Sequence, residues 1–220
     1  MDVNDLGTVD YREAVDVQHF FRDQRIEGKI EDTLIVAEHY PVVTLGRTSG
    51  EDSIIDAAYF EDLGIEIIPA GRGGKNTYHA PGQVLLYPVI DIGAKKRKDI
   101  SYYIDFLETT VARSLGRIGV AAERTGRRGV WSGGRKIAFI GIAVRKWVTF
   151  HGASININNG IEAFGHMAPC GETDITVTSA KEILGYEPDM NEFKAILADQ
   201  FEMDMKEYYR GAGEEKIKVG

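Results

Sequence analysis

Residues 137–144, Ile-Ala-Phe-Ile-Gly-Ile-Ala-Val, carry no polar side chain, and Arg145-Lys146 then turns the chain into a second apolar stretch, Trp147–Phe150. A run without alternation has no solvent face, so it is expected to form a strand covered on both sides. Burying such a strand requires a substantial core. The 220 residues allow one, since a chain of this length typically buries about 70% of the surface its unfolded form exposes. With 43% hydrophobic and 27% charged residues, wholesale disorder is excluded.

The rest of the chain supplies the layers. Ala14, Val17, Gln18 and Phe21 sit at helical spacing from Tyr11 to about Arg25. Leu34–Ala37 and Val42–Leu45 are short β-rich runs with a bend at Pro41. Ala57–Leu63 reads as a short helix and Ile65–Ile68 as a buried strand. A glycine-rich loop, AGRGGKNTYHAPGQ, leads into the apolar run Val84–Ile92. Tyr103, Phe106, Leu107, Val111, Leu115 and Ile118 form one helix face. Ser154–Asn158 alternates, predicting Ile155 and Ile157 inward and Ser154, Asn156 and Asn158 outward. Phe193, Ile196, Leu197 and Phe201 mark a last amphipathic helix, and the final GAGEEKIKVG reads as a frayed tail. No repeat or linker divides the sequence, so a single domain over 1–220 is expected. Its class is α+β, with mixed and antiparallel sheets and segregated helices rather than a regular βαβ series.

Several functions are excluded at this level. A single cysteine makes no intrachain disulfide and no Cys-rich metal site. No apolar run approaches the ~20 residues of a membrane span. The start, MDVNDLGTVD, has neither a basic region nor an apolar one, so a cytoplasmic protein is expected. Net charge is −8, but residues 93–150 hold 13 of the 26 basic residues and 4 of the 34 acidic ones. That stretch is +9 and the remainder −17. A basic segment on an acidic chain suits an acidic protein partner better than nucleic acid, unless it is merely a set of solvated faces.

Four segments could carry chemistry. Gly71-Arg72-Gly73-Gly74-Lys75 is not a P-loop, because Pro69 stands at the first glycine position and Asn76 follows the lysine. It is not a dinucleotide fingerprint either. It could be a plain turn, but Thr77-Tyr78-His79-Ala80-Pro81-Gly82-Gln83 follows, placing an imidazole between two glycine clusters. Cys170, within Pro169-Cys170-Gly171, is a small buried hydrophobe or a nucleophile presented at a bend beside backbone amides. Lys136 opens the most apolar strand, as a hairpin surface residue or as an ammonium that favours a nearby thiolate. His151-Gly152 repeats the pairing of histidine and glycine. No His, Cys or carboxylate pair has close ligand spacing, so no metal is expected.

Taken in order, these pieces resemble octanoyltransferases of lipoate biosynthesis. The matching stretches are Glu38–Arg47, Arg72–His79 with Pro81-Gly82-Gln83, Gly129-Val130-Trp131, Lys136–Ala138 with Ile140–Ile142, His151-Gly152 through Asn156, and Pro169-Cys170-Gly171. They span about residues 10–185. The resemblance implies the fold of biotin and lipoate protein ligases. It further implies octanoyl transfer from acyl carrier protein to a lysine on lipoyl domains of 2-oxoacid dehydrogenases or the glycine cleavage H protein. No cofactor, nucleic acid or membrane is implied.

By the same resemblance Cys170 would form an acyl thioester and Lys136 would activate it. Arg72, Gly73, Gly74, Lys75, Asn76, Thr77, Tyr78 and His79 would line the acyl site, with Phe139, Ile140 and Gly141, and with Gly152, Ala153 and Ser154. His79, His151 and Gly171 are candidates for oxyanion or proton support. The family usually has glycine where this chain has Ala80, which is compatible with an extended residue before proline. Ser154-Ile155-Asn156 stands where Ala-Leu-Asn is common. The rival functions are an ATP-dependent lipoate or biotin ligase, an amidotransferase between lipoyl-domain proteins, and a non-catalytic module that binds acyl carriers.

Overall fold

A computed structural model describes residues 1–50, 54–93, 98–168 and 175–214. Pro169, Cys170 and Gly171 fall outside these residues, as do Lys95, Lys96 and Arg97 of the basic segment.

Seven strands form the main sheet: β1 (Asp2–Val9), β2 (Thr33–His39), β6 (Gln83–Val89), β10 (Val148–Asn156), β9 (Arg135–Arg145), β8 (Val130–Ser132) and β7 (Glu123–Arg124), in that spatial order. β1 runs parallel to β2, and the other neighbouring pairs are antiparallel. A second sheet of order β4-β3-β5 holds β3 (Val42–Leu45) between a parallel β4 (Glu66–Pro69) and an antiparallel β5 (Asn76–His79). Tyr40-Pro41 carries the chain from one sheet to the other.

Alternation along the central strands shows how the layers are held. On β2, Leu34 and Val36 join the cluster that contains Tyr103, Leu107, Phe193 and Phe201, from α3 (Ile100–Arg117) and α5 (Met190–Glu214). Ile35 and Ala37 of the same strand face Ala14 of α1 (Tyr11–Ile26) on the opposite side. Both faces of the sheet are therefore covered, which explains the unbroken apolar runs. Side-chain caps start the helices where the sequence offers Asp: Asp10 accepts from Arg12 N at 2.7 Å and Asp99 from Tyr102 N at 3.0 Å. Among the described residues no helix is long and apolar enough to cross a membrane.

Several expectations are corrected. The glycine-rich segment is not all loop, because Asn76–His79 is strand β5. The strand predicted at Ile65–Ile68 lies at Glu66–Pro69 on an edge of the small sheet, with Ile68 its one buried residue. Trp147–Phe150 and Ser154–Asn158 are largely one strand, β10, passing through His151. Ser154 and Asn156 are buried rather than outward, Asn156 being hydrogen-bonded to Gln83 and the Thr178 carbonyl, and Asn158 is half-buried. α5 continues through Gly211–Glu214, into the stretch read as a tail. β1 gave no sequence signal: polar residues dominate it, and it gains its place by pairing with β2.

Candidate active site

The glycine-rich segment is held in place chiefly by one side chain. Arg72, buried, donates from Nη1 to the carbonyl oxygens of Lys75 (2.6 Å) and Gly73 (3.2 Å). Its Nη2 donates to the Thr44 carbonyl (2.9 Å) and the Thr44 hydroxyl (2.7 Å). The loop thereby folds back on β3, while Gly73 N reaches the Ile142 carbonyl of β9 at 2.8 Å. β8 pairs with β9 only over Arg135–Ala138. Between that pairing and the Gly73 contact lie Phe139, Ile140 and Gly141, at the wall of a cleft of about 630 Å³. That volume is within the usual range for small-molecule sites, roughly 300–1,000 Å³.

Of the residues expected to line an acyl site, the structure brings Arg72–Thr77, His79, Phe139–Gly141 and Gly152–Ser154 to this cleft. Lys136 and His151 line it as well. Tyr78 does not: the alternation of β5 sends it into the cluster of Val43, Phe60 and Phe139, with its ring edge-on to Phe164. Tyr11, Arg47, Tyr87, Ile104 and Arg128 line the cleft without having been expected there. Their placement depends on how α1, α3 and two sheets meet, for which local spacing offers no signal.

Lys136 is 3% exposed. Its backbone is fixed by the chain that follows the cysteine segment: Lys136 N donates to the Thr176 carbonyl (2.8 Å), and Thr178 N donates to the Lys136 carbonyl (2.9 Å). Its Nζ stands 5.0 Å from the ring centre of Phe139 and 5.3 Å from that of Trp131.

His79 belongs to an oriented chain of hydrogen bonds. Asn156 Nδ2 donates to the Thr178 carbonyl (3.0 Å), so its Oδ1 accepts from Gln83 Nε2 (2.8 Å). Gln83 Oε1 must then accept from His79 Nδ1 (2.7 Å), leaving His79 Nε2 to accept from the Thr44 hydroxyl at 3.3 Å. The one N–H of neutral His79 is therefore already committed to Gln83. Burial, reinforced by His39, keeps His79 well below the usual histidine range. His39 is similarly neutral through burial, with Nδ1 donating to the Val9 carbonyl and Nε2 accepting from Tyr87 OH at 2.7 Å.

His151 differs from both. It sits in mid-strand at φ +53°, a conformation costing about 1–3 kcal/mol for a residue with a Cβ. Its backbone N–H goes to Gln18 Oε1 (2.7 Å), and its ring nitrogens make no hydrogen bond among the described residues. Burial, with Arg72 next in effect, lowers its pKa to about 3. Its β9 partner is Ile142, six positions along the strand from Lys136, or about 20 Å at ~3.3 Å per residue. The structure therefore places neither histidine as an N–H donor beside Lys136.

These neutral histidines have a thermodynamic consequence. An unfolded chain takes up protons near pH 6.5 at sites the native fold keeps neutral, so stability falls as pH drops from about 6.5 towards the folded values. Each such site costs about 1.4 kcal/mol per pH unit in that window. His151→Asn, which keeps a residue tolerant of positive φ, is expected to reduce the loss of urea stability between pH 7 and pH 4. An unchanged pH dependence would show that His151 is not held neutral.

The turn entering β6 explains why Ala80 is tolerated. Gln83 N donates to the Ala80 carbonyl (3.1 Å) across Pro81-Gly82, with Gly82 at φ +86°. The left-handed position of this type II turn thus falls on Gly82, whereas Ala80 is not among the residues with positive φ. A Cβ on Gly82 would lie 2.6 Å from Asn159 N.

Several arginines of the basic segment are paired with acids in space. Arg113 pairs with Asp204, Arg117 with Asp199, Arg135 with Glu182 and Arg145 with Asp23, all acids from outside the segment. Arg124 and Arg128 pair with Asp105 and Glu108 inside it. A +9 count along the sequence therefore overstates the field at the surface. Among the described residues no three His, Cys, Asp or Glu side chains are grouped as metal ligands.

A mixed main sheet bearing an enclosed lysine, with a small sheet carrying a glycine loop, has the fold of lipoate and biotin protein ligases. The fold matches a bipartite lipoate protein ligase of Thermoplasma acidophilum at TM-score 0.74 and 17% identity, covering 93% of this chain and 83% of that one. It matches the biotin protein ligase of Aquifex aeolicus, solved with biotin and ATP, at TM-score 0.62 and 14% identity, covering 95% and 72%. Residues 10–202 match the lipoyl protein ligase A/B catalytic domain. The octanoyltransferase of Pelobacter propionicus is 36% identical over 97% of this chain and 99% of its own length. The chain belongs to the octanoyltransferase family within the lipoyl protein ligase A/B catalytic domains.

Proposed function

We propose that this acyltransferase, working as a single catalytic unit in the cytoplasm, moves an octanoyl group from acyl carrier protein to a lysine of a lipoyl domain through a thioester on Cys170. The observation that carries the reading is Lys136, enclosed at the wall of a cleft whose lining includes most of the residues that the resemblance implies for the acyl group. Residues 176–178, which follow the cysteine in sequence, pair with Lys136 through its backbone, and that pairing supports the reading.

Both nucleophiles of the reaction are mostly protonated at neutral pH, because a free thiol titrates near 8.5 and a lysine amine near 10.4. One amine can serve both halves. The Cys170 thiolate, accompanied by the Lys136 ammonium, attacks the donor carbonyl; a new C–S bond forms and the donor C–S bond breaks. Lys136 gives its proton to the departing thiolate. In the second half the acceptor lysine, having lost its ammonium proton to solvent, attacks the Cys170 thioester as the free amine, an amide forms, and the Cys170 sulfur leaves as the thiolate. Lys136 takes the proton lost by the acceptor nitrogen, which restores the starting state. The tetrahedral oxyanions are assigned to backbone amides at Cys170-Gly171. A thioester exchanged for a thioester and then for an amide requires no ATP.

The apolar wall of Phe139, Ile140 and Leu85 would take the chain, at about 0.8 kcal/mol per buried CH₂. The test is a transfer assay with octanoyl carrier protein and an isolated lipoyl domain. Transfer without ATP is expected. Modification that requires free lipoate and ATP would instead establish a ligase, and tight carrier binding without product would establish a binding module.

A further inference from the structure

Resting on the role proposed for Lys136, we infer that Trp131 is a positioning residue of the reaction, holding the Lys136 amine at the wall of the cleft through its indole face.

Trp131 and Lys136 are cross-strand partners of β8 and β9, and the register shifts between Val130 and Trp131. Such a shift re-aims side chains at a strand end. Here it accompanies an indole whose ring centre is 5.3 Å from Lys136 Nζ, while the Phe139 ring is 5.0 Å away. Ring faces attract a cation at these distances. The indole is itself fixed, with Nε1 donating to the Arg127 carbonyl (3.3 Å) and the Arg127 guanidinium 4.8 Å from its centre.

Space for the lysine stem is reserved by Gly129, at φ +102°. A Cβ there would lie 2.5 Å from Lys136 Cε and 2.6 Å from the Ala138 carbonyl oxygen. The Gly129 amide is anchored to buried Glu108 Oε1 at 2.7 Å, and Glu108 is held in turn by Arg124 at 3.1 Å. A lysine loses much rotamer freedom when confined. A displacement of about 1 Å at a reacting group can cost roughly 100-fold in rate. The surrounding rings and the vacant side of Gly129 therefore supply the confinement that the proposed chemistry requires.

The test uses the full chain, octanoyl carrier protein, and single-turnover acylation read by rapid quench, with KM for the donor and Tm measured alongside. Trp131→Leu is expected to slow acylation by about thirtyfold with donor KM changed less than threefold, and Trp131→Phe to stay within about fivefold of wild type. Trp131→Met, a flexible filler of irregular gaps, replaces the leucine variant if that fails to fold. Combined with Lys136→Ala, Trp131→Leu should add no further loss. Wild-type acylation in Trp131→Leu, or an undiminished loss in the Lys136→Ala background, would overturn the positioning role while leaving the Lys136 mechanism intact. Wild-type acylation in Lys136→Ala alone would instead remove the Lys136 mechanism, and the inference with it.

Discussion

Cys170→Ala is expected to lower turnover by about 10⁴-fold or more, the scale seen when a covalent nucleophile is deleted. Intact-mass spectrometry after incubation with octanoyl carrier protein should show one hydroxylamine-labile octanoyl adduct on the wild-type chain and none on the variant. The effect is large because direct aminolysis of the donor would need two proteins, each bringing a flexible arm, to meet at one carbonyl. Parking the acyl group on the enzyme divides that encounter into two sequential ones. An adduct that survives in Cys170→Ala would assign the nucleophile elsewhere.

The second large effect concerns Lys136. Lys136→Ala should slow acylation and deacylation by about 10²–10⁴-fold each, the range for losing a positioned proton-transfer group. Lys136→Arg should fail as well, and the reason for its failure is informative. A guanidinium would keep the positive charge but cannot give up a proton, so it neither protonates the departing thiolate nor serves as the base of the second half. Its larger head would also crowd the passage left by Gly129, where Lys136 Cε already occupies the vacant Cβ direction. Rapid quench of the two half-reactions separates these outcomes: a variant slowed in both has lost the proton that Lys136 gives and takes back, whereas one slowed only in transfer to the lipoyl domain has lost the base alone. Equal rates for wild type and both variants would exclude Lys136 from the chemistry.

Periodicity made the covered faces readable, and pairing decided what it could not reveal. The runs 84–92 and 137–144 and the helix at Tyr103–Ile118 announced themselves because burial on one or both faces leaves a regular apolar imprint. β1 left no such imprint, since Val3, Leu6 and Val9 are spaced among polar residues without alternation and its backbone does the pairing. Ser154 and Asn156 seemed solvent-facing because alternation reports a change of face without revealing what covers it. The segments that line the cleft were legible through motif order, apart from Tyr78, which strand alternation turns into the core. Tyr11, Arg47 and Arg128 were not legible, because they reach the cleft only once separate elements are assembled. The charge count along the chain does not show such pairing for the same reason, as the acids opposite Arg113 and Arg117 lie some eighty to ninety residues further along the chain.

The short reach of β8 has a thermal consequence. Beyond Ala138 β8 no longer pairs with β9, and among the described residues Phe139–Gly141 wall a cleft there before Gly73 meets Ile142, leaving a notch in that side of the protein. A fatty tail lodged in that notch would act as surrogate core, contributing several kcal/mol at most by the usual reckoning per methylene. The loaded enzyme should therefore melt later than the empty one, and the cargo would serve for a time as part of the architecture that carries it.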